Sequence, residues 1–108
     1  MLFKSTKVVG LDIGNNSIKL AELDVGKKGA TLTSFGIVPT PRGILSSRGE
    51  VSDPLPISEA IITLVDQLKS KRKNTVTGIW GSAVMVKKIT VPRMDANLLA
   101  EQIKCEAE

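Results

Sequence analysis

The sequence predicts an α/β fold: an antiparallel three-stranded meander, a helix and a returning strand, followed by the start of a second, smaller unit. Three observations carry this. Apolar runs separated by two short turns fill residues 7–38, the hydrophobic period becomes helical from Ile57, and a strand-like run at 75–80 follows. Aromatic residues are scarce, with only Phe3, Phe35 and Trp80, so the core must be aliphatic.

Residues 7–13 (KVVGLDI) are mostly apolar, which suits a strand covered on both faces. Gly14-Asn15-Asn16 interrupts the run with residues that tolerate positive φ, a turn signal. Residues 17–25 (SIKLAELDV) form a second strand, and Gly26-Lys27-Lys28-Gly29 a second turn. Residues 30–38 (ATLTSFGIV) carry threonines, Phe, Ile and Val and read as a third strand. Connections this short join antiparallel neighbours. Residues 39–56 hold Pro39, Pro41, Pro54 and Pro56 with Gly43 and Gly49, an irregular surface connection.

Ile57, Ala60, Ile61, Leu64 and Leu68 form one stripe of an amphipathic helix. Asn74 is placed to end it by accepting a left-handed conformation. Residues 75–80 (TVTGIW) read as a buried strand returning to the sheet, with Trp80 in the core. Residues 83–92 (AVMVKKITVP) read as another strand, stopped by Pro92, which has no N–H to continue a ladder. Asp95 is an N-cap for a last helix with Ala96, Leu99, Ala100, Ile103 and Ala107 on one face. That helix has no Gly, Asn or Pro terminator, and Glu106 and Glu108 sit at the negative end of its dipole. The expectation is that these 108 residues are the front portion of a longer protein.

The net charge of +4 allows phosphate, nucleic-acid or anionic-membrane partners. A single cysteine, Cys105, rules out an internal disulfide, and nothing beside it in sequence would activate its thiol. The absence of histidine excludes His-based acid–base or metal chemistry. No run approaches the ~18–20 apolar residues of a membrane span, and Met1–Lys7 lacks the apolar run of a signal peptide. The expected location is the cytoplasm.

Residues 12–19 (DIGNNSIK) carry the chemistry that matters most. Small residues at a tight turn can point successive N–H groups into an anion-binding concavity. Gly14 lets a phosphate approach the main chain, and Asn15, Asn16 and Ser17 offer further donors. Asp12 can hold a hydrated magnesium ion, which prefers one or two carboxylates and keeps its waters, while Lys19 adds a point charge. The same residues also suit a plain hairpin, with Asp12 stabilising its turn and Lys19 facing water. A P-loop is excluded because the Gly-Lys-Ser/Thr ending is missing. A dinucleotide fingerprint is excluded because a strand follows where a helix is required.

Asp-x-Gly, small polar residues, a lysine seven positions after the aspartate and two further strands resemble the first phosphate loop of the actin, sugar-kinase and heat-shock-70 ATPase fold. Within that superfamily GLDIGNNSIKLAEL (10–23), SAVMVKKITVPRM (82–94) and LLAEQIKCEAE (98–108) resemble the type IV pilus assembly protein PilM family. The resemblance implies an actin-like (ribonuclease H-like) fold. Residues 1–81 would be the front of the subdomain carrying the first phosphate loop. Residues 82–108 would begin an inserted small subdomain of the kind shared with the cell-division protein FtsA. It implies ATP and magnesium as ligands, with Asp12 holding Mg through water, Gly14, Asn15, Asn16 and Ser17 lining the phosphates, and Lys19 contacting them. The family often has serines where this chain has Asn15 and Asn16, and asparagine keeps the donors. The second phosphate loop and the adenosine-binding segments would lie beyond Glu108. The implied partner is the cytoplasmic N-terminal peptide of the membrane protein PilN, within the inner-membrane pilus assembly complex. The implied role is nucleotide-responsive assembly with slow or absent hydrolysis, since no residue here is an evident base for water.

Two other functions compete: a sugar kinase-like phosphotransferase of the same superfamily, and a basic nucleic-acid-binding module. The second rests on Lys69-Ser70-Lys71-Arg72-Lys73. Placed in the last turn of the predicted helix, those cations complement its dipole, and no aromatic residue interleaves for base stacking, so nucleic acid is disfavoured. Lys87-Lys88 interrupts an apolar run and marks a solvated edge strand or a partner groove.

Overall fold

The computed structural model describes residues 6–107. The signal-peptide reading of Met1–Lys7 falls largely outside the described residues, and the expectation at Glu108 falls wholly outside them.

β1 (Thr6–Ile13), β2 (Ser17–Gly26) and β3 (Gly29–Pro39) form the expected antiparallel meander. β4 (Thr75–Thr77) pairs in parallel with β1, giving the order β3-β2-β1-β4. β3 and β4 run the same way, so the chain must cross back between them. That crossover is α1 (Pro54–Gln67).

Strand alternation gives the sheet one filled face. Val9, Ile18 and Leu20 are buried there against Ile57 and Leu64 of α1, with Leu11, Ile13, Val38, Ile61 and Leu68 packed around them. Burying each large aliphatic side chain contributes roughly 1.5–3 kcal/mol. Gly36 lets α1 lie this close, since a Cβ there would sit 2.8 Å from Leu64 Cδ2 and 3.2 Å from Leu68 Cδ1. By the register, Asp12, Lys19, Ala21, Phe35 and Ile37 occupy the opposite face, where Phe35 and Ile37 are exposed.

Several expectations need correction. α1 begins at Pro54, within the stretch read as irregular, because Asp53 caps it by accepting the Leu55 N–H at 3.0 Å. Proline in the first turn costs no helical hydrogen bond, so Pro54 and Pro56 open the helix. Asn74 does not end it. The apolar stripe stops at Leu68, and Lys69 takes the left-handed conformation at φ 51°. Lys69–Lys73 therefore follow the helix, and no basic residue lies in its last turn. β4 is three residues long and exposed rather than a buried strand over 75–80, and Trp80 is 41% exposed rather than core. Gly14, Asn15 and Asn16 all turn without positive φ.

Residues 83–92 form no ladder among the described residues. Lys87 reaches α2 (Ala96–Ala107) instead, with its Nζ 3.9 Å from Glu106 Oε2 and donating to the Glu106 carbonyl at 3.3 Å. The lysine pair thus marks no edge strand. Asp95 caps α2 as expected, accepting the Leu98 N–H at 3.0 Å. No residue of α2 is buried, and Cys105 is exposed.

Candidate functional site

The β1–β2 hairpin closes at Gly14–Ser17, where the Gly14 N–H donates to the Ser17 carbonyl at 3.0 Å. A Cβ on Gly14 would lie 3.1 Å from that carbonyl oxygen, so this position favours a residue without a side chain. The register then pairs Ile13 with Ile18 and Asp12 with Lys19. A lysine seven positions after an aspartate is, in this hairpin, its direct cross-strand partner. Lys19 Nζ lies 3.3 Å from Asp12 Oδ2, with the two side chains 41% and 65% exposed. So exposed a pair contributes ~0.2–1 kcal/mol, which leaves both groups available to a ligand. Together with Gly10, Leu11, Ala21 and Val76 they line an open depression of about 240 Å³.

The turn is held from behind through its carbonyls. Thr40, buried, donates its hydroxyl to the Gly14 carbonyl at 2.6 Å and its N–H to the Asn16 carbonyl at 3.0 Å. The Trp80 indole N–H donates to the Ile13 carbonyl at 3.1 Å, and the Thr77 hydroxyl to the Leu11 carbonyl at 2.8 Å. Each such bond contributes about 1 kcal/mol net, and together they fix the end of β1. The N–H groups of Asn15 and Asn16, in contrast, have no protein partner among the described residues. The Ile13, Gly14, Asn16 and Ser17 carbonyls accept hydrogen bonds while the Asn15 and Asn16 N–H groups remain, a polarity that suits an anion.

All six residues singled out in the sequence come together at this one sheet end: Asp12, Gly14, Asn15, Asn16, Ser17 and Lys19. Asn15 and Asn16 are exposed, and Ser17 is half-buried at the start of β2. No group of three or more His, Cys, Asp or Glu residues able to hold a metal occurs among the described residues. A single carboxylate beside free N–H donors suits an ion held through its water shell, with phosphate against the main chain. The residues present therefore fit magnesium and a phosphate chain.

Sequence reasoning missed Thr40, Thr77 and Trp80 as supports of the turn. Thr40 did leave a signal. It stands between Pro39 and Pro41, so its N–H is the one main-chain donor of that tripeptide.

A solved PilM-PilN type IV pilus biogenesis complex matches this architecture with a TM-score of 0.76 and 27% sequence identity. The match covers 95% of this chain and 30% of that one, so the chain spans under a third of the length of its structural relative. The fold is actin-like. The family model described as type IV pilus assembly protein PilM matches residues 10–108, from the hairpin through the last helix. On the strength of that match, the chain belongs to the type IV pilus assembly protein PilM family.

Proposed function

We propose that this chain is the front of a cytoplasmic actin-like assembly protein of the type IV pilus inner-membrane machinery, binding Mg-ATP and the cytoplasmic N-terminal peptide of PilN. One observation carries the nucleotide reading: unspent N–H donors at Asn15 and Asn16 stand next to the Asp12–Lys19 pair, on a turn fixed by Thr40. In this reading Asp12 accepts hydrogen bonds from the water shell of magnesium. Gly14 allows close main-chain approach, Asn15, Asn16 and Ser17 donate to phosphate oxygens, and Lys19 turns its ammonium from Asp12 toward them. Bound magnesium supplies neutralising charge to the phosphates. None of these residues is placed as a base for water, so the nucleotide serves assembly rather than rapid turnover.

Family membership and the likeness to a PilM-PilN complex support PilN as the partner. No described helix is long and apolar enough to cross a membrane, which agrees with attachment through a partner. Residues 1–81 then supply one wall of a nucleotide cleft and residues 82–108 open a small inserted subdomain. Family membership favours this reading over a sugar kinase.

Titrating the intact protein with ATP, with and without magnesium, and separately with a synthetic PilN N-terminal peptide tests both halves. Saturable, magnesium-dependent ATP binding and saturable peptide binding are expected. Failure of ATP to bind removes the nucleotide reading, and failure of the peptide to bind removes the partner.

A further inference from the structure

The structure leaves only Lys69 at the end of α1, where its N–H donates to the Asp66 carbonyl at 3.1 Å, and puts Lys71, Arg72 and Lys73 beyond it. α1 stops at Gln67, and the cations occupy the exposed connection leading into β4. That connection is not isolated. β4 begins at Thr75, opposite Val9 near the start of β1, and the β2–β3 turn lies just beyond the Thr6–Val25 pair. The fold thus brings Lys7, Lys28, Lys69, Lys71, Arg72 and Lys73 to one end of the sheet, with Lys27 beside them in the turn.

All are exposed, and among the described residues those six make no ion pair. Acid at this end is sparse. Glu22 and Asp24 are half-buried, with Asp24 directly across the ladder from Lys7 and one of its oxygens out of reach of solvent, and exposed Asp66 lies in the last turn of α1, so the cations outnumber the acids. The candidate phosphate-binding turn is at the opposite end of the same strands, so this charge is not part of that site.

We infer that this end of the sheet is a basic pole that docks on an anionic phospholipid surface. Clusters of four to eight Lys or Arg residues bind such surfaces through summed attraction, each adding a comparable increment. The pole has the charge count of such clusters, and it is lysine-rich, exposed and assembled from a strand start, a tight turn and an irregular connection rather than a helix. It offers no helix to enter a major groove and no aromatic side chain to stack on bases, which disfavours nucleic acid. Lysine dominates, and it acts as a point charge rather than a planar fork for a defined phosphate.

Co-sedimentation of the intact protein with phosphatidylglycerol–phosphatidylcholine vesicles, at low and high salt, tests the inference. Binding to these vesicles at low salt, release at high salt and no binding to pure phosphatidylcholine are expected. Changing Lys71, Arg72 and Lys73 together to alanine should lower partitioning about a hundredfold. Lys71→Arg with Lys73→Arg should preserve it, and circular dichroism should show each variant folded. Equal partitioning of the alanine variant and the parent overturns the inference, as does indifference to vesicle charge. Tighter binding to duplex DNA than to the vesicles also overturns it and assigns the pole to nucleic acid.

Discussion

Asp12 and Lys19 are direct partners across the β1–β2 ladder, with Lys19 Nζ 3.3 Å from Asp12 Oδ2. Their spacing of seven is the register of a hairpin closed at Gly14–Ser17. One fixed geometry therefore sets a carboxylate and an ammonium side by side, next to a turn whose Gly14 and Asn16 carbonyls are tied down and whose N–H groups at Asn15 and Asn16 remain. The exposed pair is weak enough to open for a ligand.

Thr40→Val should test the bracing of the turn. Valine keeps the shape but leaves the Gly14 carbonyl without its hydroxyl partner. An unsatisfied acceptor in this part-buried position costs ~1–3 kcal/mol, to be read from urea unfolding. Thr40→Ser should recover most of it. Equal stability of the valine variant and the parent would show that the Thr40 hydroxyl does not hold the loop.

Gly36→Val should destabilise the contact between β3 and α1. Its side chain would press on the Leu64 and Leu68 methyls, which already crowd the position a Cβ would take. Overpacking of this kind costs ~1–3 kcal/mol. The denaturation midpoint should fall with little change in slope. A midpoint equal to the parent's would mean that α1 has room to move away from the sheet.

Lys71→Glu with Lys73→Glu should change stability by no more than about 0.5 kcal/mol in total, the scale of exposed substitutions away from special features. A place in the helix's last turn would instead give ~1–2 kcal/mol in total. Thermal unfolding separates the two, because the structure puts these residues beyond the α1 C-cap. Loss of Mg-ATP binding in the folded variant would tie the basic run to the nucleotide site.

Much of this was legible in the sequence where one local rule decided the outcome. Strand-length apolar runs broken by Gly14-Asn15-Asn16 and by Gly26–Gly29 specify a meander, and the stripe from Ile57 to Leu68 specifies a helix lying on it. The site was legible because hairpin register converts sequence spacing directly into cross-strand contact. Misreadings arose where a local cap was overlooked or where tertiary context outweighed local signals. Prolines at 54 and 56 read as loop, yet both fit a helix start once Asp53 caps it. Residues 83–92 have strand composition but no neighbouring strand among the described residues, and composition alone cannot supply one. Thr40, Thr77 and Trp80 act over sequence separations of 26, 66 and 67 residues, and no local pattern names the carbonyls they reach.

We propose that the Asp12–Lys19 hairpin is a phosphate loop that would hold magnesium through Asp12. Isothermal titration of ATP into the intact protein and its Asp12→Ala variant, with and without magnesium, tests it most directly. Magnesium should tighten ATP binding to the parent. Asp12→Ala should lower the magnesium-supported affinity about tenfold or more, a change of at least ~1.4 kcal/mol. The variant's fold should persist, since only an exposed ion pair worth ~0.2–1 kcal/mol is removed. An Asp12→Ala variant that binds Mg-ATP as tightly as the parent would contradict the claim and leave Asp12 as a carboxylate that merely steadies its turn.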